Sequence, residues 1–417
     1  MTTSSPATRL TLTRRGLLAA GGAAILGVAS GCTTDTASTA PSPSGSTPSS
    51  SPPLPSALPD AASARTYPFH GAHQAGVETP PALLQTFVGL DLRDPSPQSA
   101  DAVLRLVSDD AARLTQGEPA LGDTEPEIAA SPAGLTVTVG LGRSLFDRTG
   151  REDRIPRQLA PIPDFATDRL ESRWGQTDLL LQVGSDDALS LAHAVRMLTK
   201  DLSTLAEVRW MQQGFKAAAP AVPGSSSTRN LMGQVDGTVN PQLGTPTFSE
   251  VVWIDDAEDW VVGGTVLVLR RIRMHLDEWE VLDRSTQEVV IGRHIDTGAP
   301  LGGERESDPV PFDAVDDTGL PVIAADAHIR VAHAPTPAEM VLRRPYSYDA
   351  GMHDGTNDVG LLFAAYTKDP TTSFIPMQQR IADSDAFNRW NTTIGSATYL
   401  IPAGAPNGGY LAEGVFA

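Results

Sequence analysis

The stretch best suited to chemistry in this 417-residue chain is Met232-Gly233-Gln234-Val235-Asp236-Gly237-Thr238-Val239-Asn240-Pro241. Glycines on both sides of Asp236 let the backbone take positive φ and pass close to a flat ligand, so a tight loop can aim the carboxylate. Asp-Gly and Asn-Pro also describe an ordinary turn, and residue chemistry alone does not separate the two readings. Of the eight histidines, no pair has the His-x-x-x-His or His-Glu-x-x-His spacing of a helical metal site, which argues against a zinc hydrolase. There is no Gly-x-Ser-x-Gly elbow, phosphate-binding glycine loop or Gly-x-Gly-x-x-Gly after a strand, so hydrolase, NTPase and dinucleotide chemistry are poorly supported.

His328, in Ala324-Ala325-Asp326-Ala327-His328-Ile329-Arg330-Val331, has small residues on its N-terminal side that leave room for a bulky planar group. A lone histidine suits the axial position of haem, whose porphyrin supplies four nitrogens; a buried structural histidine is the competing account. In Leu342-Arg343-Arg344-Pro345-Tyr346-Ser347-Tyr348, adjacent arginines in a strand point to opposite faces, so one can enter a pocket while the other stays outside. The bland alternative is two solvated charges. Arg330 and Arg293 are further candidates for contact with anionic groups such as haem propionates. His73, in Gly71-Ala72-His73-Gln74-Ala75-Gly76, lines an entrance or caps a turn, and His193 and His275 read as structural or surface residues.

Strands alternating with helices must position these groups. Leu84–Leu92, Leu135–Gly140, Asp178–Val183 and Val208–Gln212 read as strands. Ser99–Leu114 and Asp186–Ser203 read as amphipathic helices, the second with Leu189, Leu191, Ala194, Val195 and Leu198 near one face. That is β-α-β-β-α-β order, expected for an α+β ferredoxin-like sandwich. After the Pro/Gly/Ser-rich break Ala218–Ser227 come strand candidates at Gly264–Leu276, Ile329–Ala332 and Gly360–Tyr366 and a helix around Met377–Arg389. The first of these strands carries Arg270, Arg271 and Arg273. The site is expected in a cleft between sheet and helices of this second half.

The N-terminus reads as an address. Arg14-Arg15 precede an apolar, small-residue run from Leu17 to Val28 that is too short for a typical membrane span, the layout of a twin-arginine export signal. Ala29-Ser30-Gly31-Cys32 resembles a lipobox, so residues 1–32 end in lipid anchoring at Cys32 or in cleavage and release. Cys32 is the single cysteine, which leaves the folded part no intramolecular disulfide, thiolate metal cage or thiol nucleophile. Residues 33–65 read as a flexible Ser/Thr/Pro linker. Residues 1–32 hold three arginines and no acid, so their removal takes the formal charge from −19 to −22, which disfavours nucleic acid and anionic lipid as partners.

Together these stretches resemble the dye-decolourising peroxidase family, in the twin-arginine-exported subgroup called deferrochelatase/peroxidase. Matching segments occur in family order at 71–76, 135–140, 233–241, 263–274, 288–301, 326–330, 342–348, 360–363 and 374–380. The resemblance implies two ferredoxin-like modules side by side, of dimeric α+β barrel type, at 66–225 and 226–417, with haem b bound in the second. It assigns His328 as axial iron ligand, Asp236 as general base and then acid, and Arg343 as stabiliser of negative charge. Asp385 falls where some members have an acid accepting the imidazole N–H, with Asp383 two residues away as a rival; Arg330 and Arg293 would be polar contacts of the haem. Pro345 departs from the family pattern and could alter the aim of Arg343. The implied activity is reduction of hydrogen peroxide with oxidation of dyes, phenols or other electron donors, with an acidic optimum for a carboxylate base and surface electron transfer through Trp390 or Tyr410. The implied alternative is iron release from haem with the porphyrin intact, in concert with iron-uptake components. The oligomeric state stays open, a homo-oligomer being compatible with the resemblance.

Overall fold

The structure, a computed structural model, describes residues 60–353 and 355–417. The expected export signal, Cys32 and most of the expected linker lie outside those residues. Residues 60–65 of that linker pack on the fold: the Ala133 and Gly134 amides donate to the carbonyls of Ser63 and Arg65, and Arg65 pairs with Asp186.

Strand β1 (Leu84–Leu92) leads into helix α1 (Pro97–Leu114), which starts two residues earlier than the apolar period suggests. The Ser96 hydroxyl accepts from the Ser99 amide at 3.2 Å and Pro97 fills the first turn, so the cap sets the boundary. Strands β2 (Thr136–Gly142) and β3 (Leu179–Ser185) follow, then α2 (Ala188–Asp201), capped by Asp187, and β4 (Ala206–Phe215). Along α2, Leu191, Ala194, Val195 and Leu198 are buried, whereas Leu189 is 61 % exposed; two residues before Leu191 it lies on the far side of a 3.6-residue turn. His193 is structural, its ring bonded to Asp123 at 2.8 Å.

The second half opens with a minimal hairpin, β5 (Thr228–Arg229) and β6 (Val235–Asp236), followed by β7 (Thr265–Met274) and α3 (Arg284–Ile291). The segment read as a strand at 329–332 is instead one helical turn, α4 (His328–Val331). Among the described residues its short β-branched run has no neighbouring strand; the Arg330 and Val331 amides bond back to the Ala327 carbonyl. Pro345 divides the next segment into β8 (Leu342–Arg343) and β9 (Tyr346–His353), before β10 (Thr356–Thr367), α5 (Phe374–Ser384) and β11 (Asn391–Ile401).

The antiparallel order is β2-β3-β1-β4 in the first half and, counting strands from β7, the same order β9-β10-β7-β11 in the second. Each is ferredoxin-like. The two sheets meet where Phe215 of β4 pairs with Ser347 of β9 and where Leu141 and Gly142 of β2 pair with Leu400 and Tyr399 of β11. The eight strands therefore close into an antiparallel barrel. Its interior is packed by Phe87, Leu180, Trp210, Tyr348, Tyr366 and Tyr399, while the helices lie outside it.

The arginines of β7 serve this frame. Arg271 is buried between the Trp174 and Tyr348 rings and donates to Asp358 at 2.9 Å; Arg270 pairs with Asp168, and Arg273 with Asp358 and Glu171. Buried guanidiniums persist only when so compensated.

Candidate active site

Asp236 ends β6, directly before Gly237 at φ +115°, a backbone conformation that suits glycine. The hairpin is tied both within itself and to the loop at Asp296: Arg229 donates to the carbonyls of Gly233 and Asp296, and the Asn230 side chain accepts from the Met232 and Gln234 amides. The buried Trp279 indole fixes Met232 by donating to its carbonyl at 3.2 Å.

His328 is the first residue of α4. Its Nδ1–H donates to Asp385 Oδ2 at 2.6 Å, while the other Asp385 oxygen accepts from the Phe387 amide at 2.8 Å and caps a short 3-10 turn. One carboxylate thus orients the imidazole and is itself fixed by the backbone. The structure brings Asp385 to His328 and leaves Asp383 outside, bonded to Gln379. Burial works against the imidazolium, but the Asp385 charge and hydrogen bond outweigh it and raise the His328 pKa. Space for Ile329 beside the histidine comes from Gly292, where an added Cβ would lie 2.2 Å from the Ile329 side chain.

Arg343 Nη1 lies 3.6 Å from Asp236 Oδ1. Its neighbour Arg344 points the other way, donating to the carbonyls of Val77 and Thr79; it is buried, not solvated. Asn240 places Arg343: its amide nitrogen donates to the Arg343 carbonyl at 2.8 Å and its oxygen accepts from the Arg343 amide at 3.0 Å. Sequence reasoning passed over this residue, although it stands in the same stretch as Asp236; read as half of an Asn-Pro turn, its side chain had no assigned partner.

Asp236, Arg343, His328, Asp385 and Arg293 all line one cavity of about 270 Å³ between the second sheet and its helices. Arg293 is buried, which lowers its pKa, and donates to the carbonyls of Gly298 and Glu306. Arg330 is not brought to the cavity. Its guanidinium donates to the carbonyls of Phe312, Ile323 and Ala324, so its role is to hold the loop before α4. His73 also lies elsewhere, donating to the Gly263 carbonyl at 2.6 Å and stacked on Trp253. Trp390 and Tyr410 are buried, not surface, residues.

This donor set fits a flat, anionic, iron-bearing cofactor. Nδ1 of His328 is taken by Asp385, which leaves Nε2 for a ligand bond. The side chain keeps 34 % of its surface open although its partner Asp385 is 1 % exposed. The walls are apolar, with Ile272, Met274, Leu361, Phe363 and Met377, and the guanidiniums of Arg293 and Arg343 can meet negative charge.

The family profile described as Dyp-type peroxidase, C-terminal, matches residues 227–406, and Dyp-type peroxidase, N-terminal, matches residues 74–216. A dye-decolorizing peroxidase of Thermobifida fusca is 42 % identical over 358 residues, covering 82 % of this chain and 83 % of the relative. A deferrochelatase of Escherichia coli K12 is 33 % identical, covering 80 % and 83 %. Among solved structures, a DyP-type peroxidase from Cellulomonas bogoriensis is 44 % identical, covers 85 % of this chain and 99 % of that chain and superposes with a TM-score of 0.81. Ferric DtpA from Streptomyces lividans is 38 % identical, with 86 % and 100 % coverage and a TM-score of 0.82.

Proposed function

The chain belongs to the Dyp-type peroxidase family, and on that premise we propose that Asp236, Arg343 and His328 carry a haem-dependent peroxidase reaction outside the cytoplasm, with dyes, phenols or similar donors as reductants. One observation supports the site assignment above all: a carboxylate–guanidinium pair and a carboxylate-braced imidazole share one apolar cavity.

Bound haem supplies the redox centre that accepts two oxidising equivalents from hydrogen peroxide and yields them to a reductant. His328 holds that group through Nε2, and Asp385 keeps the imidazole turned and electron-rich. Arg293 meets negative charge at the cavity wall. Asp236 takes a proton from the peroxide and returns one to the departing oxygen as water forms. The Arg343 guanidinium stabilises the negative charge that builds on that oxygen as the O–O bond breaks. Asn240 keeps the Arg343 backbone in register with the loop that carries Asp236. The extracytoplasmic placement rests on Arg14-Arg15 and the apolar run after them.

The test is a purified, haem-loaded protein assayed for peroxide-dependent dye oxidation beside the double variant Asp236→Asn/Arg343→Leu. The variant is expected to keep its Soret absorption and to lose turnover by roughly 100-fold or more. Wild-type turnover in that variant would remove both residues from the mechanism. The relatives named deferrochelatase support a second reading, iron release with an intact ring. Recovery of free protoporphyrin from haem at catalytic yield, with no dye oxidation, would favour it.

A further inference from the structure

Asp236 stands at the end of a hairpin too small to hold itself, with two residues per strand and two pairs, Thr228–Asp236 and Arg229–Val235. An isolated hairpin of that size is not stable in water. Gly237, which follows, has a backbone that rotates at little cost. The aim of Asp236 therefore depends on what holds the chain on either side of it.

Both chain segments leaving the open end of the hairpin turn to one atom. The Ser227 hydroxyl donates to Glu306 Oε1 at 2.6 Å, and the Thr238 hydroxyl donates to the same oxygen at 2.8 Å. Ser227 precedes the Thr228–Asp236 pair, and Thr238 lies just past Gly237. Glu306 is itself held, because its backbone carbonyl accepts from Arg293 Nη1 at 3.1 Å. Burial raises the Glu306 carboxyl, but hydroxyls of Ser225, Ser227 and Thr238 and the Arg293 charge outweigh this and leave it below the ordinary glutamate value. It is a charged acceptor, and hydrogen bonds to ionised acceptors are the stronger kind.

We propose that Glu306 is a positioning residue for Asp236: one carboxylate oxygen, shared by Ser227 and Thr238, closes the hairpin and sets the direction in which Asp236 enters the cavity. This rests on Asp236 being the general base. The same clamp couples that base to the Arg293 wall, since both are fastened to Glu306.

The experiment compares haem-loaded wild type with Glu306→Ala, Glu306→Gln and Asp236→Asn, reading amide exchange over residues 232–240 and kcat/KM for peroxide. Glu306→Ala is expected to keep the Soret absorption, to speed exchange at 235–238 about ten-fold and to lower kcat/KM for peroxide by about ten- to hundred-fold, the scale of a misplaced catalytic group. Glu306→Gln keeps an acceptor oxygen for both hydroxyls and is expected to stay within about three-fold of wild type on both readouts. Wild-type exchange or wild-type kcat/KM in Glu306→Ala overturns the proposal, and so does a glutamine variant as impaired as the alanine one. If Glu306→Ala does not fold, Ser227→Ala/Thr238→Val removes both donors and is read by the same criteria. Should Asp236→Asn retain full turnover, the assignment of the base fails; an inactive Asp236→Asn beside an unimpaired Glu306→Ala fails the clamp alone.

Discussion

In the N-terminal half, α1 and α2 lie on their sheet over a continuous apolar layer, with Val103, Leu104, Val107, Leu191 and Leu198 all at 1 % exposure or less. At the corresponding place in the C-terminal half there is a cavity. The strand order is the same, so topology does not make the difference. The covering helices do: α1 and α2 have 18 and 14 residues, whereas their counterparts α3 and α5 have eight and 11, with only the four-residue turn α4 beside them. Short helices cannot roof the sheet, and the apolar side chains divide into two clusters, one around Met274, Trp279 and Leu361 and another around Val341, Phe374 and Met377. The cavity lies between them and receives its polar groups from the ends of short elements, Asp236 of β6, His328 of α4 and Arg343 of β8, and from the loops beside them. A duplicated frame thus carries one half for stability and one for chemistry, and function follows the site, not the fold.

The sharpest way to break this contrast is to remove the histidine proposed to hold the haem. His328→Ala is expected to abolish retention of haem absorption after loading and desalting, while the fold, read by far-ultraviolet circular dichroism, stays intact. Retention would move the axial role to another cavity histidine, His333. Next in size, Leu198→Ala in the filled half should cost about 3 kcal/mol in urea unfolding, the usual range for a buried leucine being about 2–5 kcal/mol. Leu361→Ala, on the cavity wall of the haem-free protein, should cost about half as much, because that side chain already lacks partners on one side. Equal costs would mean the cavity is not open in the haem-free state. Asp385→Asn comes third. Asparagine keeps an oxygen to cap the Phe387 amide but brings no charge to the imidazole, so haem should transfer to apomyoglobin about 10–100-fold faster. An unchanged transfer rate would make the 2.6 Å contact a packing detail.

The same contrast explains what the sequence made legible. The first half is a run of long, periodic elements, and its β-α-β-β-α-β order could be read directly, with errors confined to element ends, such as the Ser96 cap and β4, which runs Ala206–Phe215 and not 208–212, and to Leu189. In the second half, Pro345 splits a strand, α4 is a single turn, and the loops between residues 292 and 341 have no period to read. Barrel closure was legible only through the family resemblance, because it depends on edge pairs such as Phe215–Ser347 that leave no local mark. Asp236 and His328 stood out through the small residues around them, Arg343 as one of two adjacent arginines in a strand, and all three through the family resemblance. Asn240 and Glu306 did not, since their partners lie 103 and 68–79 residues away. Arg330 was misread for a related reason: an arginine beside a candidate ligand looks like an anion contact until its three carbonyl partners are seen.

The smallest expected effect belongs to the filled half and tests whether its dense packing has a pH cost. Asp110 of α1 is fully buried; burial first, then the nearby charges of Asp201 and Asp109, push its carboxyl up to about 7. A folded-state value above the unfolded one near 4 means that the folded protein binds the proton more tightly. Below about pH 4 both states are protonated and the group is neutral in its effect on stability. Between about 4 and 7 stability falls as pH rises, and above 7 the full cost of a buried charge remains. Asp110→Asn removes the charge at similar size. Its melting temperature is therefore expected to exceed wild type by a few degrees at pH 8, a shift on the order of 1–2 kcal/mol for a fold of this size, and to converge on wild type at pH 4. A gain independent of pH would show that the asparagine acts through packing, and no gain at pH 8 would show that the Asp110 carboxylate is already compensated in the folded protein.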